Sequence, residues 1–365
     1  KGDPYAEALH GLAQHHLSAA RFDDAARVAT VLLDHAREAG QPHPEVLAHR
    51  ALSQVRFWTG RYTELWEHSA RAMELYDPEA PVEQRFAMGI ESGVIAMTYG
   101  AVGLWALGRP HEAAAMADRC VEHAKRQPDV YQQAYAQAYL SMLGIMLIDP
   151  ERVERWALAA KSIAERHGFA PLEGLSRYTL AWAMAERGHP ESFDMVVSGI
   201  GILAALGTGI GAPGCMAVVA EMYAKDGQFG EAAGYVAFGE AMADGTGQHF
   251  YTVELHRSAA LAHLGLADAA DDDEVRATEL HAAEQRASAA IDLARAQSAA
   301  SLELRAIQPM IELLCRRGDT EAARSLLADA VAKFPAESSG TELDRARAAL
   351  RGAAELRPRL RFHEV

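Results

Sequence analysis

Cysteine is scarce in this chain and, where present, isolated. Cys120, Cys215 and Cys315 lie far apart and form no Cys-x-x-Cys pair, so neither a zinc site nor a disulfide framework is indicated. A reducing cytosol is the expected setting. No Gly-Lys pair occurs, which excludes a phosphate-binding loop of the Gly-Lys-Ser/Thr type. The nucleophile pattern Gly-x-Ser-x-Gly and the metal pattern His-Glu-x-x-His are both missing. No apolar run reaches membrane-spanning length, and no signal-peptide pattern opens the chain. Positive charge is also short: 35 Lys and Arg against 50 Asp and Glu give a net charge of −15. Phosphate contacts need clustered cations, so a nucleic-acid-binding surface is not expected. The one basic cluster, Arg351, Arg357, Arg359 and Arg361, reads as a solvated helix end. These absences leave no expected cofactor, metal, membrane contact or catalytic role.

Features that imitate sites have simpler readings. Gly209-Ile210-Gly211-Ala212-Pro213-Gly214 matches Gly-x-Gly-x-x-Gly, but Pro213 sits badly in a helix opening inside that fingerprint. The Gly-rich run from Gly199 to Gly214 reads as an inter-repeat loop. Sixteen histidines include His256 and His263, which share a helix face two turns apart, too far for one ion. Asp271 to Glu274 lacks calcium-loop spacing and reads as a solvated loop.

What the chain has in quantity is alanine and one recurring turn. Half of it is hydrophobic, much of that Ala, the best helix former. A Gly, a Glu at the fourth or fifth place and an apolar residue at the sixth recur from Gly60, Gly108, Gly188, Gly227 and Gly318. Helical runs flank each copy. The turn at Ala20-Arg21-Phe22 lacks the Gly, and degenerate turns are expected near Asp149-Pro150-Glu151 and within Ala267–Val275. Small residues where helices cross, with large ones around them, form the tetratricopeptide pattern. The expectation is an all-α, right-handed α-α superhelix of about eight hairpins. They fall roughly at 4–40, 44–77, 86–127, 130–168, 172–206, 213–246, 250–299 and 301–335, within one domain over 1–365. Thr341-Glu342-Leu343-Asp344 starts a closing helix over 341–356.

Val219-Ala220-Glu221-Met222-Tyr223, Glu254-Leu255-His256-Arg257, Ala294-Arg295-Ala296-Gln297, Ser301 to Ala306 and Gly340-Thr341-Glu342-Leu343 follow one another in an order with family character. With Leu104-Trp105-Ala106-Leu107-Gly108, the stretch Leu47 to Leu350 resembles the tetratricopeptide region of bacterial signal-transduction ATPases. In these, a cyclase or DNA-binding domain precedes the ATPase. The maltose-regulon activator type, whose superhelix senses an inducer, has a similar architecture. The resemblance implies a sensor or scaffold role and an ATPase or cyclase module in the same full-length protein. The start at Lys1 instead of Met fits an excised domain.

In such a superhelix the first helix of each hairpin lines the concave side. Counting from the turns places His10, Gln14, Arg50, Gln54, Thr98, Tyr178, Trp182, Glu221 and Gln308 near it. Trp58, Trp105 and Trp182 could supply flat platforms. Polar groups beside rings suit a peptide or sugar. The expected function is a non-catalytic sensor binding a protein, peptide or small-molecule effector there. The alternative is a stand-alone adaptor for a peptide or partner helix, and an enzyme ranks third.

Overall fold

The computed structural model describes residues 3–87, 89–207, 210–352 and 356. Among these, eight antiparallel helix pairs follow one another: α1 (Pro4–Ser18) with α2 (Phe22–Glu38), α3 (Pro42–Trp58) with α4 (Tyr62–Leu75), and, after a short insert, α6 (Ser92–Ala106) with α7 (Pro110–Lys125). Next come α8 (Val130–Met146) with α9 (Pro150–His167), α10 (Ala170–Ala185) with α11 (Ser192–Ala205), and α12 (Ala212–Lys225) with α13 (Phe229–Thr246). The array ends with α14 (Thr252–Ala269) and α15 (Asp273–Ala296), then α16 (Ala300–Arg316) and α17 (Thr320–Val331). A last helix, α18 (Thr341–Leu350), covers the end. Residues 353–355 of the expected closing helix and Gly209 of the Gly-rich run lie outside the described residues.

The local reasons for these boundaries are legible. Pro opens α1, α3, α7 and α9, where a missing N–H costs nothing. Asp3, Asp149 and Asp272 cap α1, α9 and α15 with their carboxylates. The consensus glycines adopt the left-handed conformation the turn needs, as at Gly60 (φ +71°) and Gly108 (φ +80°). Where the turn is degenerate the conformation persists without Gly: Ala20 has φ +54° and Ile148 has φ +52°.

The two helices of a pair differ in character. First helices after α1 are buried over much of their surface; in α6 every residue but Met97 is buried, while α1, at the end of the array, buries only Ala6, His10, Ala13 and Leu17. Second helices bury one stripe, as in α9, where Val153, Trp156, Ala157, Ala160 and Ala164 face inward. The first helices therefore form an inner layer and the second an outer one. Gly199, expected in a loop, lies in α11: a Cβ there would stand 2.7 Å from the Tyr178 amide nitrogen and 2.8 Å from the Gly174 carbonyl. It permits close crossing of α10 and α11.

Between α4 and α6 lie a one-turn helix, α5 (Val82–Arg85), and a hairpin of β1 (Phe86–Ala87) and β2 (Ile90–Glu91), which occupies the start of the stretch 86–127 expected to be the third helical hairpin. Two-residue strands leave no alternation to read.

The array also closes on itself. The Trp58 carbonyl at the end of α3 accepts from the amides of His249 (2.8 Å) and Phe250 (3.1 Å). The Tyr62 hydroxyl donates to the Phe250 carbonyl, and Phe57 and Phe250 rings lie 4.5 Å apart. One pair further on, Ser301 donates to the Trp105 carbonyl and Ser338 to that of Gly108. The second and third pairs are thus fastened to the sixth through eighth. One continuous apolar core, from Leu17 to Ala349, fills the inside at this seam.

Candidate ligand site on the inner helices

Arg50 on α3 sits in the inner layer with 2% exposure. Its Nη1 donates to the Ile90 carbonyl at 3.0 Å, while its Nε has no partner. Among the described residues no carboxylate pairs with it. Burial dominates its environment and brings its pKa down to about 10, against the opposing influence of Tyr135, Tyr99 and Glu91. An unpaired buried guanidinium costs several kcal/mol, on the order of what a broken buried ion pair costs. Glu91, whose charge acts on Arg50, makes its own contacts elsewhere: it takes hydrogen bonds from the Tyr76 hydroxyl and the Val94 amide and lies 3.3 Å from His123 Nε2.

Around Arg50 the wall is polar and aromatic. His10 on α1 is 3% exposed with Nε2 unpartnered. Burial, then the charges of Arg50 and His43, pushes its pKa down to about 3, so it is neutral at physiological pH. Gln14 Nε2 donates to Gln54 Oε1 at 2.9 Å. Tyr99 on α6 lies beside Gln54 and Tyr135. Tyr135 stacks on Tyr139 of the same helix, centroids 4.3 Å apart. Tyr139 reaches towards Cys215 on α12, whose thiol neighbours the Tyr178 hydroxyl.

The belt ends in a buried ionic cluster on α12, α14 and α16. Arg257 Nη2 lies 2.5 Å from Glu221 and 2.7 Å from Glu254. Arg305 Nη2 lies 3.5 Å from both carboxylates, its Nη1 donates to the Tyr251 hydroxyl at 3.2 Å, and its Nε is 3.5 Å from Glu342 on α18. Lys225 adds a contact to Glu221 at 3.0 Å and one to Glu186 at 2.7 Å. Burial opposes ionisation of Glu221, but Arg257, Lys225 and Arg305 together hold its carboxyl well below the usual range. Glu342 goes the other way: burial raises its pKa despite Arg305. The charges of this cluster are paired, although Arg305 Nε and Glu254 Oε1 lack hydrogen-bond partners; at the Arg50 end no carboxylate among the described residues faces the cation.

Of the residues singled out in sequence, His10, Gln14, Arg50 and Gln54 come together in one neighbourhood, Glu221 belongs to the ionic cluster, and Gln308 borders it through Glu342 at 3.4 Å. Thr98 instead turns onto its own pair, 3.5 Å from Cys120 Sγ on α7. Tyr178 and Trp182 are fully buried, at 0% and 2% exposure. Trp58 and Trp105 are likewise buried at the seam and offer no flat platform to a ligand. Sequence reasoning missed Tyr99, Tyr135, Arg257 and Arg305.

Other chemistry-bearing groups are engaged. His256 lies 3.2 Å from Glu240 and His263 2.6 Å from Glu279. Burial raises the Cys120 and Cys215 thiols to about 12. Among the described residues no three His, Cys, Asp or Glu side chains group to hold a metal, and no helix is long and apolar enough to cross a membrane. A small, mostly apolar cleft opens at the seam between Trp105, Met146, Leu304, Phe334 and Leu343.

No family model matches the chain, and no curated protein matches it. Solved structures do. The chain is similar in fold to aspartyl phosphate phosphatase F from Bacillus subtilis, at 11% identity and a TM-score of 0.50, over 91% of this chain and 78% of that one. A Rap protein complexed with Competence and Sporulation Factor matches at 13% identity and a TM-score of 0.43, over 91% and 76%. The likeness is to a helical-repeat solenoid as a fold. It does not single out a region linked to an ATPase or cyclase.

Proposed function

We propose that this chain is a non-catalytic regulatory module that binds a peptide on its inner helices. The observation that carries the reading is the convergence of His10, Gln14, Arg50, Gln54, Tyr99 and Tyr135 from four successive first helices. Hydrogen-bonding groups with unspent capacity beside phenol rings are what an extended peptide needs. The inner layer is otherwise closed by the seam, so binding requires the array to loosen and reclose, which couples occupancy to curvature. That coupling is the regulatory output.

The likeness in fold to aspartyl phosphate phosphatase F, over most of both chains, fits this free-standing adaptor reading better than the ATPase-linked sensor implied by the sequence resemblance. The phosphatase name belongs to that relative; no constellation described above supplies a nucleophile or metal for such a reaction here.

The test is hydrogen exchange on the whole chain with and without a degenerate heptapeptide pool. Slowed exchange in α1, α3, α6 and α8 supports the reading. Unchanged exchange with peptides, together with protection by a metabolite set, would replace the peptide with a small-molecule effector. Protection by neither would sink the binding-module reading.

A further inference from the structure

Among the described residues Arg50 is the buried arginine with no carboxylate in ion-pair contact. The contrast with Arg257 and Arg305 is direct. Each of those has carboxylates within 3.5 Å and equal burial. Arg50 spends one of its five donors on the Ile90 carbonyl. Its neighbours cannot help: His10 is neutral or, if charged, repulsive; Gln54 is taken by Gln14; Tyr99 and Tyr135 are phenols held protonated by burial. Glu91 is held by Tyr76, Val94 and His123. A guanidinium presents a planar fork matched to a carboxylate. The chain is net negative by 15, so a cation kept in the interior without a partner runs against its composition.

We infer that Arg50 is the anchor for a carboxylate of the ligand, with Gln14, Gln54, Tyr99 and Tyr135 aligning the groups next to it. This rests on the peptide reading and narrows it: the bound segment carries a free C-terminus or an acidic side chain at the end lying between α1, α3 and α6. The β1–β2 hairpin, which lends Arg50 the Ile90 carbonyl, covers that end. A ligand carboxylate would compete with this carbonyl for the fork, so occupancy would be felt by the hairpin.

Three heptapeptide pools test it on the full chain by thermal shift: one lacking Asp and Glu with free C-termini, the same pool amidated, and an amidated pool containing Asp and Glu. Arg50 as anchor requires a melting shift of several degrees with the first or third pool and none with the second. The first responding means a terminal carboxylate, the third a side-chain one. Arg50→Gln should weaken the response at least tenfold, and Arg50→Lys should restore part of it. Equal response to all three pools overturns the anchor while leaving the peptide site standing. No response to any pool removes the peptide site and the anchor together. If Arg50→Gln does not fold, the contrast among pools on the unmodified chain still decides.

Discussion

Trp58 and Phe250 are joined twice: the Phe250 amide donates to the Trp58 carbonyl at 3.1 Å, and the two rings meet edge to face with centroids 5.4 Å apart. A hydrogen bond and a ring contact across that sequence separation convert an open row of hairpins into a closed one. Each hairpin in a solenoid ordinarily touches only its neighbours. Here the second pair also touches the loop before the seventh, so interior access depends on that joint.

Phe250→Ala removes a fully buried ring at the joint. We expect a loss of about 3–5 kcal/mol in denaturant unfolding. Scattering should show a larger radius of gyration, because the ends are no longer held. A variant that loses stability and keeps its dimensions would show that the seam is held elsewhere.

Gly60→Ala should cost more than Gly227→Ala. Both glycines are left-handed, at φ +71° and +83°, and share a penalty of about 1 kcal/mol. At Gly60 a Cβ would also stand 2.4 Å from Gln297 Nε2 and 2.9 Å from the His249 carbonyl, while Gly227 faces open space. The excess measured by urea unfolding reports the tightness of the seam. Equal losses would argue against close packing there.

Ala20→Gly is expected to stabilise. Ala20 holds φ +54° in a turn where the consensus copies use Gly. Relief of that strain, less the added unfolded-state entropy, leaves roughly 0.5 kcal/mol. A drop in Tm would mean that the Ala20 methyl packs better than its position suggests.

Acidification should destabilise the chain through His10. Its folded pKa, about 3, lies below the ordinary 6.5. The unfolded state therefore takes up a proton in this interval that the folded state refuses. Stability from this source is complete above pH 6.5 and is lost as pH falls towards 3. At pH 5 the loss is about 2 kcal/mol. His10→Asn should flatten the dependence of unfolding free energy between pH 7 and pH 5. An unchanged slope would place the titrating group elsewhere; His68, lowered to about 4 chiefly by burial and then by His49, is the next candidate.

Legibility from sequence followed the range of the interactions. The turn glycines, the proline and Asp helix starts and the Ala-rich periodicity are local, and they pointed to the helices. The degenerate turns were also legible, because Pro150 and Asp272 mark helix starts even where Gly is missing. The β1–β2 hairpin was not, since it is held by Gln132 and Arg50 from other elements. Counting from the turns gave Arg50 and Gln54, which lie in the polar neighbourhood of His10 and Gln14, and Thr98, which packs against Cys120 of its own pair in a helix buried on nearly every side.

The sequence by itself determined an all-α array of hairpins with a closing helix, because helix starts, turns and small-residue crossings are encoded within each repeat. Only the tertiary structure decided that the array closes, that Trp58 and Trp105 belong to the seam, and that Arg257 and Arg305 find acids while Arg50 does not. Those outcomes depend on the summed curvature of eight pairs. A small rotation at each crossing, invisible in any one repeat, accumulates until Trp58 meets Phe250.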